Sequence, residues 1–93
     1  MIKTKQNGQK VWVTFTVTPE TETESIALCG AWSDWEDEPM KQKKNGEFYL
    51  TKVLPAGNTF EFGYKVDGKA WCTDDECETV QSPFGTHNAV LEL

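Results

Sequence analysis

The sequence predicts an all-β chain folded as an antiparallel β-sandwich of about seven to eight short strands, and three observations carry that prediction. Apolar and polar residues alternate with a period of two in "VWVTFTVT" (11–18) and again in "TFEFGYKVDG" (59–68). Turn-forming clusters recur about every 8 to 12 residues. Nowhere does an apolar pattern repeat with the 3.6-residue period of an amphipathic helix, so helix should be nearly absent.

Taken in order, residues 1–10, "MIKTKQNGQK", are a polar, positively charged lead-in to a domain that occupies 11–93. In the first strand Val11, Val13, Phe15 and Val17 point one way and Trp12, Thr14, Thr16 and Thr18 the other. The polar run "PETETE" (19–24) is a loop, and "SIALCG" (25–30) is a short strand that stops at Gly30. "GAWSDWEDEPM" (30–40) follows as a loop rich in acids, yet it holds Trp32 and Trp35. Asn45 and Gly46 then turn the chain into the strand "EFYLTKV" (47–53), and "LPAG" (54–57) reverses it. In the next strand Phe60, Phe62, Tyr64 and Val66 share the core face, so Glu61, Gly63 and Lys65 face outward, where position 63 should accept a side chain. The stretch from Lys69 to Asn88 is mostly loop with a short strand around Trp71, and "NAVLEL" closes the sheet.

Ninety-three residues make one domain with a thin core and little room for a deep enclosed pocket. Fifteen acids against nine bases give a net charge of -6, which repels nucleic acid and anionic lipid. No apolar run is long enough to cross a bilayer, and the basic start lacks the apolar core of a secretory signal. Three cysteines, Cys29, Cys72 and Cys77, are odd in number and read as free thiols, which suits a reducing cytoplasm.

Catalytic and metal-binding readings find little support. "TDDECE" (73–78) lacks the glycine and the spaced Glu of a calcium loop. Cys72, Cys77 and the lone His87 lack the paired spacing of a zinc site, and the acids around both cysteines disfavour a thiolate. No carboxylate pair faces across a cleft for glycoside hydrolysis, and His87 has no nucleophile partner. The expected domain is therefore not an enzyme and needs no metal or cofactor. The four tryptophans are the unusual feature. Trp12 and Trp32 are explained as packing residues, whereas Trp35 and Trp71 lie in polar surroundings at an end or edge of the sandwich. Flat indoles so placed suit the apolar face of a sugar ring.

"GAWSDWEDEPM", "NGEFYLTKVLPAG", "FEFGYKVDGKAW" and "FGTHNAVLEL", in this order and spacing, resemble the successive signatures of the family-48 carbohydrate-binding modules. That family includes the glycogen-binding domain of the AMP-activated protein kinase β subunit and the isoamylase-type early-set domains. The resemblance covers about Val11 to Leu93. It implies an immunoglobulin-like early-set sandwich that binds α-1,4-glucans such as glycogen, starch or maltooligosaccharides, targeting or regulating a glycogen-metabolising enzyme. It also implies sugar-stacking roles for Trp35 and Trp71, an apolar contact over the glucan by Phe84, and hydrogen bonds from Thr86 and Asn88. Where kinase-type domains carry a sugar-binding lysine this chain has Gly63, and Lys65, on the same face, is the expected substitute. A protein-interaction domain that has lost sugar binding is the alternative, and Gly63 is the residue that favours it.

Overall fold

In the computed structural model, which describes residues 1–93, ten strands form two antiparallel sheets. They are β1 (Ile2–Asn7), β2 (Lys10–Val17), β3 (Ile26–Gly30), β4 (Glu38–Pro39), β5 (Lys41–Gln42), β6 (Phe48–Pro55), β7 (Thr59–Val66), β8 (Ala70–Cys72), β9 (Thr79–Gln81) and β10 (His87–Glu92). The first sheet has the order β1-β2-β6-β5. The second runs β4-β3-β7-β10-β9, with β8 also paired to β7. The only helical turn is a single 3-10 turn at Ala31–Ser33.

The period-two alternation sets which residues fill the space between the sheets. Val11, Val13 and Phe15 of β2 and Phe48 and Leu54 of β6 meet Ile26 and Leu28 of β3, Phe62 and Tyr64 of β7, and Ala89 and Leu91 of β10. Val17, Phe60 and Val66, expected on the same face, pack half-buried at its margin. Phe15, Phe60 and Phe62 surround the Trp32 indole at centroid distances of 5.6, 5.8 and 6.0 Å respectively. Trp32 is thus the packing residue its sequence context implied. Its ring lies directly on the backbone of Gly30, where a Cβ would come within 2.5 Å of it.

Three features depart from the sequence reading. Residues 2–7 form an edge strand in register with β2 from Ile2↔Phe15 to Asn7↔Lys10. Almost wholly polar, this strand offers no apolar alternation to detect. Its signal is Gly8-Gln9, the two-residue loop closed by Asn7↔Lys10, because Gly8, at φ +65°, takes the first loop position, which demands a positive φ. Secondly, Trp12 is no core residue. It points out from the first sheet beside Val53 and is 38% exposed, because an even-numbered position on β2 must face away from Val11 and Val13. Thirdly, the strand count rises to ten, since β4, β5 and β9 are too short for periodicity to reveal.

One inward position holds a charge. Lys52 pairs with Val13 across β6 and β2, on the core side of the sheet. Its ammonium reaches Glu38 of the opposite sheet at 2.7 Å, while the Trp32 indole N–H donates to the same carboxylate at 3.1 Å. Burial pushes the Glu38 carboxyl up, but hydrogen bonding to Lys52, Ser33 and Trp32 and the Lys52 charge outweigh it and hold Glu38 below the usual carboxylate range.

Candidate functional site on the second sheet

The outward face of the second sheet gathers the residues singled out from sequence. β7 supplies Glu61, Gly63 and Lys65 as alternate outward positions, as its apolar pattern requires. Asp67 and Gly68, at φ +51° and +70°, turn the chain back into β8 and set Trp71 opposite Lys65. The Asp67 carboxylate also accepts the N–H groups of Glu24 and Ser25, each at 2.9 Å, so the same turn secures the 19–24 loop.

Trp71 is held from two sides. Its indole N–H donates to the carbonyl of His87 on β10 at 2.8 Å. Its ring crosses the Gly63 backbone so closely that a Cβ there would stand 2.2 Å from Cζ2. Position 63 is therefore filled by the indole and does not accept a side chain, contrary to the sequence expectation. The glycine is the seat on which Trp71 lies, so it no longer argues for a domain that has lost its sugar site.

Trp35 reaches the same face from the loop after β3. The 3-10 turn ends in Asp34 and Trp35, both left-handed at φ +54° and +65°, a conformation that costs a bulky residue about 1 to 3 kcal/mol. The turn imposes it: the Trp35 N–H donates to the Gly30 carbonyl at 2.9 Å, and the Ser33 hydroxyl donates to the same oxygen at 3.3 Å. The result is an indole 40% exposed, its centroid 6.2 Å from that of Trp71 and its plane inclined by 52°. A loop and a short strand far apart in sequence have been folded to present one angled aromatic pair.

Polar groups flank the pair. Lys65 donates to Asp37 at 2.8 Å, and the Cys29 thiol donates to the same carboxylate oxygen at 3.3 Å. The Lys65 ammonium, and after it the Cys29 thiol, hold Asp37 below the usual carboxylate range, and Asp37 in turn raises Lys65. Burial, then the Asp37 carboxylate, pushes the Cys29 thiol up to about 11. Lys65 is thus committed to an ion pair. Asn88 is only 7% exposed and donates to Glu61 at 3.2 Å.

Phe84 stands apart, 91% exposed at the tip of the turn between β9 and β10. Hydrogen bonds close that turn: Gly85 takes φ +85°, the Phe84 N–H donates to the Ser82 hydroxyl at 3.2 Å, and the Ser82 and Thr86 hydroxyls share a hydrogen bond of 2.8 Å. Trp35, Trp71 and Lys65 come together directly. Asn88 and Thr86 flank His87, whose carbonyl holds Trp71, while Phe84 pairs with no other aromatic ring. Sequence reasoning missed Asp37, Glu61 and Ser82. Glu61 was legible as an outward position on β7, whereas Asp37 and Ser82 lie in irregular loops with no periodicity to place them.

A family model for the glycogen recognition site of AMP-activated protein kinase matches residues 13–93. The chain belongs to that family. A curated relative, the SNF1-related protein kinase regulatory subunit beta-2 of Arabidopsis thaliana, is 31% identical over 68 residues, covering 73% of this chain and 23% of the relative. The chain therefore spans about a quarter of that relative's length. As a member of this family it is a glycogen-recognition module, the binding role that the four sequence signatures implied. The matched stretch begins inside β2, so the β1 edge strand lies outside it.

Proposed function

We propose that the outward face of the second sheet binds one stretch of α-1,4-linked glucan without catalysis, with Trp35 and Trp71 stacked on nearby glucose rings. The observation that carries this reading is the angled indole pair, 6.2 Å between centroids and 52° between planes. An α-1,4 chain curves, so successive sugar faces turn relative to one another, and two inclined rings fit that curvature better than coplanar ones. Each indole removes about 100 Å² of apolar surface from water, worth roughly 2.5 kcal/mol before the cost of association. Net affinity of about 10 µM to 1 mM follows.

Sugar hydroxyls find partners around the rings: the Lys65 and Asp37 pair, and the amide of Asn88 beside Glu61. Thr86 shares its hydroxyl with Ser82 and keeps capacity for further bonds. Phe84, exposed at the tip of its hydrogen-bonded turn, supplies the apolar contact over the glucan. Asp37 is engaged by Lys65 and Cys29, and Glu61 by Asn88, which supports a binding role for these two carboxylates in place of hydrolysis. Association with a glycogen-metabolising enzyme in the cytoplasm belongs to the same proposal; the relative's description as a kinase regulatory subunit supports an enzyme partner only in general.

Titration with maltoheptaose and β-cyclodextrin, followed by tryptophan fluorescence, tests it. Saturable changes with both α-glucans and none with cellohexaose are expected. Equal response to the flat β-1,4 chain would refute the reading of the ring angle.

A further inference from the structure

The first sheet carries a different chemistry. None of the chain's fifteen acids falls in β1, β2, β5 or β6, which together hold Lys3, Lys5, Lys10, Lys41 and Lys52. Lys52 faces inward to Glu38. The strand register sets the other four outward: Lys5 lies opposite Trp12, Lys3 opposite Thr14, Lys10 opposite Pro55 and Lys41 opposite Tyr49. Lys43, just past β5, adds a fifth ammonium, 5.4 Å from the centre of the Tyr49 ring. All five are exposed, and none is in an ion pair. The remaining four bases share the rest of the molecule with all fifteen acids, so a chain of net charge -6 is strongly polarised.

At the middle of this face Trp12 and Val53, 38% and 50% exposed, lie side by side across β2 and β6. Beside them Thr14 and Thr51 share a hydrogen bond of 2.9 Å. Lysines on an edge strand guard against edge-to-edge aggregation, which accounts for Lys3 and Lys5 on β1. It does not account for Lys10 on the interior strand β2, nor for an indole left open beside an exposed valine.

An apolar centre of Trp and Val inside a charged rim is the anatomy of a protein interface, where an aromatic anchor supplies affinity and the rim supplies orientation. The rim selects the partner's sign. We propose that the outward face of the first sheet docks an acidic protein segment whose apolar side chain seats on Trp12 and Val53 between flanking carboxylates. A nucleic acid is disfavoured, since the acids elsewhere on the chain repel a long polyanion, and a single indole gives no stacking track for successive bases. The face lies on the opposite sheet from Trp35 and Trp71, so glucan and protein can be held together. The proposal does not depend on the sugar reading.

The test is an NMR titration of the full chain with a 12-residue synthetic peptide of Asp and Glu around a central Phe-Leu pair. Parallel arms use an all-Asp peptide of equal charge, single-stranded oligothymidylate, and phosphatidylserine vesicles. The expected result is saturable shifts at Trp12, Thr14, Thr51 and Val53 with the Phe-Leu peptide, unchanged by saturating maltoheptaose. Trp12→Ala and the double variant Lys5→Glu, Lys10→Glu should each weaken binding about tenfold. Raising the salt should weaken it severalfold. No shifts on this face at millimolar peptide would overturn the proposal. So would equal binding of the all-Asp peptide, or tighter binding of the oligonucleotide or the vesicles.

Discussion

Replacing Gly63 by alanine exchanges a hydrogen for a methyl group, and the structure places that carbon 2.2 Å from Cζ2 and 2.5 Å from Cε2 of Trp71. Ordinary contact begins at 3.4 Å, so the indole must retreat by about 1.2 Å, and the bond from its N–H to the His87 carbonyl, now 2.8 Å, must stretch or break. Losing that bond costs about 0.5 to 1.5 kcal/mol, and overpacking typically 1 to 3 kcal/mol. These costs overlap, because the ring moves once. The removal of a glycine from a strand returns about 0.5 to 1 kcal/mol, which leaves a net destabilisation of about 1 to 2 kcal/mol. The displaced indole no longer matches the plane set by Trp35, and most of its roughly 2.5 kcal/mol of stacking is lost, so maltoheptaose should bind at least about tenfold more weakly. Urea unfolding and calorimetric titration measure the two effects. The decisive comparison repeats the substitution in a Trp71→Ala background, where the space is free and Gly63→Ala should be neutral or stabilising by about 0.5 kcal/mol. A single Gly63→Ala variant as stable as the parent and equal in affinity would refute the seating of Trp71 on Gly63. Gly63→Lys carries the same Cβ and should fail in the same way.

Three further outcomes are expected. Trp35→Gly should abolish retention on glycogen in a native gel, yet raise the unfolding free energy measured in urea by up to about 1 kcal/mol, because glycine takes the left-handed backbone without strain. Asp37 and Glu38 both sit below their ordinary range in the folded chain, so the unfolded chain takes up protons first as the pH falls. Their contribution is complete at neutral pH and is lost as the pH drops through the ordinary carboxylate range to the lowered values; urea midpoints at pH 7 and pH 3 should show the fall, and Lys52→Met should narrow it. Cys29, buried and raised to about 11, should resist a disulfide-exchange reagent at pH 8 until urea unfolds the chain, while the exposed Cys72 reacts in the native state.

What the sequence disclosed followed from periodicity. The alternation through β2 and β7 was enough to assign Val13, Phe15, Phe62 and Tyr64 to the core and Lys65 to the outer face, because a strand leaves each side chain only two directions. The same rule places Trp12 outside. An apolar residue type weighed against the register at that position, and the register decides. β1 was hidden because an edge strand needs no apolar face of its own. Residue type and motif spacing singled out Trp35 and Trp71, but their pairing was beyond reach. It depends on two left-handed residues, on an indole crossing a glycine one hairpin away, and on the meeting of Trp35 with Trp71 across more than thirty residues, which no local pattern encodes. Gly63 illustrates the limit: in sequence it looked like a missing lysine, and in the fold it is the floor beneath a ring.

The 6.2 Å separation of the Trp35 and Trp71 rings also has an optical consequence. Transition dipoles that close couple, and two indoles fixed at an oblique angle become a chiral chromophore that neither ring is alone. The native protein should therefore show a paired positive and negative circular dichroism band in the indole absorption region, absent from a variant that lacks either Trp35 or Trp71. Trp12, which stands alone on the first sheet, contributes no partner to it. Because the sign and size of such a couplet depend on the angle between the rings, any ligand that settles them at a new inclination reports its own arrival, without a label.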